Sequence, residues 1–307
     1  MFADEYPRFI EVSELTPDLH PDDQRHRNRS AIEQRNRMNE RYEALFASNR
    51  DIFEGARVLD LASHDGRFSM AALKTGATHV TGVEVRQSLV DKAQETFAFY
   101  GQDPESYRFV CGDVFEVLAR EEFDVDVVLC LGYLYHTWRY TELMYRLHNL
   151  APRHLILDTM VIPDEQPTLK LVREPDPDDI RSAAQDAWSV DRVLVLRPSV
   201  PALQVLVRNY GFEVESMHDW KSQLAGRLPM PGLDGYATGK RVTLRCRSRQ
   251  AAAAAGLEPV APLQFATDRE STPPPPSAQP AGGFRARVNK ALAKATGYEL
   301  HRASTKR

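Results

Sequence analysis

The sequence predicts a doubly wound α/β domain: a mostly parallel sheet with helices on both faces and an antiparallel last strand. Three observations predict it. Short apolar runs alternate with amphipathic stretches from residue 51 to about residue 246. The early runs are apolar on both faces, which suits strands covered by helices above and below. Acidic residues and glycines recur where those runs end, at Asp60, Gly66, Glu84 and Asp113, which would gather them on the carboxyl edge of the sheet.

In chain order, residues 30–48 form the first helix, with Ile32, Met38, Tyr42 and Leu45 repeating at helical spacing. Strands follow at "ARVLDLA", "HVTGVEV", "YRFVCGD", "VDVVLCLG", "HLILDTMVI", "FEVESMHDW" and "KRVTLRCRS", with helices between most of them. The last two are separated only by the Pro/Gly-rich "GRLPMPGLDGYATG", so they form a hairpin that brings in the antiparallel strand. Residues 1–50 are thus an N-terminal segment with a helical lid, and residues 51–249 the α/β domain. Residues 250–283, with an alanine run and four consecutive prolines, read as a disordered linker. In residues 284–307, Phe284, Val288, Ala291, Leu292 and Ala295 share one face of a basic helix, which suits an anionic membrane surface, a protein partner or this domain itself.

Composition bounds the function. The chain has 307 residues, 42% hydrophobic and 27% charged, enough to bury a full core. No apolar run approaches the roughly 18 residues that span a membrane, and the N-terminus lacks a signal-peptide order. The three cysteines follow no metal or disulfide spacing and fit a reducing cytosol. The expected location is cytoplasmic, peripheral to the inner membrane face if the basic helix docks there. The net charge of −4 conceals an arginine-rich stretch at 25–41, which suits phosphate or nucleic acid as well as a solvated helix face.

The stretch "RVLDLASHDGRFSMAAL" at 57–73 has the outline of a nucleotide-binding turn, yet Ala62 and His64 stand where glycines usually do. A diphosphate would be poorly served by so bulky a loop, whereas S-adenosylmethionine needs less exposed backbone. Glu84, 18 residues after Gly66, is placed to accept ribose hydroxyls. Asp113 suits the adenine amino group, with Val114 and Phe115 around the ring, although it also suits a helix N-cap. The expected donor site is Asp60, Ala62, Ser63, Gly66, Glu84, Asp113, Val114 and Leu131.

The order of "VLDLASHDG", "VTGVEV", "CGDVFEV" and "VVLCLGYLYH" resembles the class I S-adenosylmethionine-dependent methyltransferases. More narrowly, "LGYLYH", "LILDTMVI", "RPSVPALQVLVRNYGFEV" and "DGYATGKRVTLRC" are similar to the family of the bacterial tRNA wobble-uridine carboxymethyltransferases and their small-molecule O-methyltransferase relatives. The resemblance covers about residues 54–247 and implies a seven-stranded Rossmann-like sheet. Basic residues that hold the extra carboxylate of the carboxymethyl donor have no placed counterpart here, which favours plain S-adenosylmethionine and a small-molecule acceptor over tRNA.

The loop after the fourth strand, "CLGYLYHTWRYTEL", offers the catalytic candidates. The imidazole of His136 suits a general base, and it equally suits a cap on the next helix. Asp158 would orient it or bind a sugar hydroxyl. Tyr135, Trp138 and Arg139, with Tyr140, suit a saccharide. No metal is required, Asp158 with Asp164 or Glu165 being the residual magnesium set. A non-catalytic binding protein with a degenerate fold is the reading from another class.

Overall fold

A computed structural model describes residues 1–10, 31–174, 193–227 and 232–260, the first three of the second range by backbone alone. The expected basic helix at 284–307 and the proline-rich part of the expected linker lie outside the described residues.

The elements are α1 (Phe2–Glu5), α2 (Ala31–Leu45), α3 (Arg50–Phe53), β1 (Arg57–Leu61), α4 (Arg67–Thr75), β2 (His79–Glu84), α5 (Gln87–Phe99) and β3 (Tyr107–Cys111). There follow α6 (Val114–Arg120), β4 (Val127–Leu131), α7 (Tyr140–Leu150), β5 (His154–Met160), β6 (Leu169–Arg173), β7 (Leu194–Pro198) and α8 (Val200–Asn209). The described chain closes with β8 (Phe212–Met217), α9 (Trp220–Gln223), α10 (Asp234–Ala237), β9 (Arg241–Ser248) and α11 (Arg249–Ala254).

Seven strands form one sheet in the order β3-β2-β1-β4-β5-β9-β8. The neighbours from β3 to β5 are parallel, and β9 runs antiparallel to both β5 and β8. The winding reverses between β1 and β4, which makes the carboxyl edge there the place for a ligand. The strands are buried on both faces because alternate residues feed two cores. Val127, Leu129 and Leu131 of β4 pack with Phe46, Phe53, Met70 and Phe97, whereas Val128 and Cys130 pack with Leu143, Leu147, Leu203 and Phe212. Each such aliphatic or aromatic side chain contributes roughly 1.5–3 kcal/mol by leaving water.

The N-terminal segment belongs to the first of these cores. Phe2 stacks on Tyr42 at 5.0 Å, and the Ala3 N–H donates to Asn39 Oδ1 at 2.8 Å. Met38 and Leu45 of α2 pack with Val58 of β1, so the boundary expected at residue 50 divides no core. The alanine run corrects a second boundary. Residues 249–254 are helical, because Ser248 accepts from the Ala251 N–H as an N-cap and alanine favours helix. The Arg247 side chain donates to the Glu258 carbonyl and the Val260 N–H to Glu213, so the domain runs on to the end of the described residues.

The sequence reading also passes over β6 and β7. They pair as an antiparallel ladder from Leu169↔Pro198 to Arg173↔Leu194, outside the main sheet. β6 carries Leu169, Leu171 and Val172, but it is short, mostly exposed and pairs with β7 outside the main sheet, so its apolar residues do not mark it as a core strand. Its ladder is fastened to the loop after β4: the Leu196 N–H donates to the Thr137 carbonyl at 3.1 Å, and Tyr140 Oη to the Leu196 carbonyl at 2.6 Å.

Candidate active site

The turn from β1 into α4 keeps the backbone of a glycine-rich loop without its glycines. Ala62, His64 and Gly66 have φ of 53°, 55° and 78°. The left-handed region costs a residue with a Cβ roughly 1–2 kcal/mol, so Ala62 and His64 are strained. Hydrogen bonds to β2 hold the loop: the Ser63 N–H donates to the Val83 carbonyl at 2.9 Å, and the His64 N–H to Glu84 Oε2 at 3.1 Å. Gly66 is kept because a Cβ there would stand 2.8 Å from the Phe109 ring.

Asp60, Glu84 and Asp65 bring three buried carboxyl groups to this edge. Asp65 accepts from Arg67 Nε at 2.7 Å and Nη2 at 2.6 Å. Burial alone would raise it, but Arg67 and His64 hold it well below the usual carboxylate range. Asp60 pairs with no cation among the described residues. Burial, with the neighbouring Glu84 and Asp65 charges, pushes its carboxyl up to about 7 against the hydrogen bond from Ser69 Oγ at 2.8 Å. A carboxyl raised in the folded state above its unfolded value of about 3.9 destabilises as pH climbs from that value through 7. Asp60→Asn therefore raises the melting temperature at pH 8, and the gain over the parent vanishes near pH 4. Equal melting curves at pH 8 would show that Asp60 ionises without cost.

Glu84 accepts one backbone N–H on each oxygen, from His64 and from Arg86, the latter at 3.0 Å. The Gly112 N–H donates to the Glu84 carbonyl, which sets the end of β3 beside that of β2. Asp113 caps α6, its Oδ1 accepting from the Phe115 and Glu116 N–H groups at 2.9 and 3.2 Å. A nucleoside fits this donor set: carboxylate lone pairs remain on Glu84 and on Asp113 Oδ2 for a ribose diol and an exocyclic amine. Glu84→Ala is expected to weaken S-adenosylmethionine binding about tenfold or more, losing a charge-assisted acceptor and an anchor of the loop. Calorimetry measures it, and an unchanged Kd would move the ribose elsewhere.

Other expected members sit differently. Ser63 Oγ lies buried beneath the loop, where a Cβ on Gly82 would approach it to 2.7 Å, and it has no hydrogen-bond partner among the described residues. Val114 and Phe115 are buried in one core, and Leu131 packs in the opposite core. Arg139 is committed to Glu142 and lies 3.7 Å over the Phe115 ring. Tyr140 is buried in the core. Trp138 is 56% exposed, and Tyr135 Oη accepts from Arg241 Nη1 at 3.3 Å.

Asp158 does not orient His136. Its oxygens accept from Arg41 Nη2 at 3.2 Å, Arg241 Nε at 2.8 Å, Tyr236 Oη at 2.9 Å and Thr243 Oγ1 at 2.7 Å, which fills a carboxylate. Burial would raise it, but Arg241 and Arg41 overcome that and hold it low. The acidic partner of His136 is Glu174, the residue after β6, with Oε2 3.2 Å from Nδ1. Among the described residues no three His, Cys, Asp or Glu side chains group as metal ligands. No described helix is long and apolar enough to cross a membrane.

Residues 58–151 match the family model of a methyltransferase domain. Over 80 residues the chain is 36% identical to ribosomal RNA large subunit methyltransferase I of Aeromonas hydrophila, covering 24% of this chain and 20% of that protein. The protein of the same name from Klebsiella pneumoniae is 36% identical over 77 residues, covering 24% and 19%. The chain thus spans about a fifth of the length of the curated relatives it matches. Among solved structures, an S-adenosylmethionine-dependent methyltransferase from Mesorhizobium loti aligns at a TM-score of 0.49 and 16% identity, over 68% of this chain and 97% of that one. The sheet order, the acidic strand ends and the matched segment agree: the chain carries a class I S-adenosylmethionine-dependent methyltransferase domain.

Proposed function

We propose that the protein transfers the methyl group of S-adenosylmethionine to a hydroxyl of a small molecule, a sugar or glycolipid precursor, with His136 as general base. The observation that carries this reading is the His136 imidazole, held in the turn directly after β4 with Nε2 bonded to no other described residue. When bound, the donor supplies an electrophilic methyl carbon on a sulfonium. Glu84 and Asp113 would bind its hydroxyl and amino groups. His136 would take the acceptor's proton as its oxygen becomes the nucleophile. Holding the acceptor in line is worth up to about 7–11 kcal/mol, and a placed base a further 10²–10⁴ in rate, so positioning is the larger share. Trp138, exposed beside this turn, and Tyr135 support a saccharide.

The resemblance to the wobble-uridine carboxymethyltransferases and the arginine-rich stretch support a second reading, tRNA as acceptor. Calorimetry with S-adenosylmethionine, then methyl transfer to a panel of sugars and to total tRNA, tests both. Transfer to sugars alone supports the first reading and transfer to tRNA alone the second. No binding at millimolar donor would leave a non-catalytic scaffold.

A further inference from the structure

We infer that Glu174 is the positioning residue of His136, fixing the imidazole with Nδ1 protonated and Nε2 open as the proton acceptor. The inference rests on the proposed reading for its catalytic meaning, though not for its geometry. Glu174 is held at two levels. Its N–H donates to the Val193 carbonyl at 2.9 Å, which extends the β6–β7 ladder by one bond. That ladder is in turn tied to the His136 turn through Leu196, which donates to Thr137 and accepts from Tyr140. The His136 N–H closes the turn on the Tyr133 carbonyl at 2.8 Å, and its ring packs 4.2 Å from the ring of Tyr135. Both side chains of the pair are largely withdrawn from water, 16% exposed for His136 and 11% for Glu174.

An ionised carboxylate has no proton to donate, so the nitrogen facing Glu174 Oε2 must carry the hydrogen. In the neutral ring the lone pair then falls on Nε2, the atom with no described partner. Without the carboxylate, both tautomers become open to the ring. Asp158, the acid expected for this task, is saturated by Arg41, Arg241, Tyr236 and Thr243. The other charged groups on elements packed against the turn are Arg197 on β7, Arg173 beside Glu174, and Arg241, which reaches the turn through Tyr135.

The test uses the full chain labelled with ¹⁵N-histidine, His136 being assigned by loss of its signal in His136→Gln. In the parent, ring nitrogen shifts at pH 8 should show Nδ1 protonated and Nε2 bare. In Glu174→Gln, which keeps shape and removes charge, the shifts should move toward a mixture of tautomers. With the acceptor found in the panel, kcat should fall roughly ten- to hundredfold, part of the 10²–10⁴ a base supplies, at unchanged donor affinity. A parent-like tautomer in Glu174→Gln, in a protein that melts and binds S-adenosylhomocysteine like the parent, would overturn the inference. Failure to bind S-adenosylhomocysteine in the parent would instead defeat the methyltransferase reading and leave the tautomer result standing.

Discussion

His136→Ala lowers methyl-transfer turnover by roughly 10²–10⁴ and leaves S-adenosylmethionine affinity within about twofold of the parent. The separation of the two effects follows from where the residues lie. The donor's expected contacts, Glu84 and Asp113, end β2 and β3, whereas His136 lies beyond β4 and touches Tyr135 and Glu174. On the proposed reading, removing the imidazole removes the proton acceptor and leaves the donor's expected contacts in place. The turn itself is held by backbone bonds, from the His136 N–H to Tyr133 and from Leu196 to Thr137, and Leu134 anchors it in the core. The variant should melt close to the parent. Single-turnover transfer at saturating donor, with calorimetry on the same preparation, measures both quantities. A variant as fast as the parent would reduce His136 to a structural residue.

Asp158→Ala destabilises the protein by about 3–5 kcal/mol, because it strands two buried guanidinium groups. The Asp158 side chain is fully buried, and those of Arg41 and Arg241 are 7% and 11% exposed. Neither cation has water to fall back on. Tyr236 and Thr243 lose their acceptor in the same step. The affected elements are α2, α10 and β9, so the loss spreads over every piece that closes this side of β5. In a domain of this size the fall in melting temperature is on the order of 10 °C. The carboxyl is lowered in the fold, so its contribution is present above the unfolded value of about 3.9 and disappears as pH falls below it. Adding Arg41→Met should recover part of the loss at pH 7. A shift under about 2 °C for Asp158→Ala would show that water reaches these guanidinium groups.

Sequence patterning reveals the sheet where a strand is walled on both sides, because only then is the whole run apolar. β4 is such a strand, and β6 is the opposite case, exposed along most of its length and paired with a strand more than twenty residues away. The alanine run misleads for a different reason: its composition resembles a linker, but a serine cap and a docked Ala252 make it a helix. At the site, local spacing exposes the acids that end β1, β2 and β3. It cannot expose Glu174, 38 positions from His136, or Arg41, 117 positions from Asp158, since nothing short of the folded topology brings them together. Arg139 and Tyr140 show the reverse error: an aromatic and basic loop reads as a pocket, yet Phe115 and the β6–β7 ladder claim both residues.

Ala62 and His64 occupy backbone conformations that neither would choose in a free peptide. Backbone bonds to β2 hold that shape, so the fold itself, and not a bound nucleoside alone, bears part of the cost of ordering this seat.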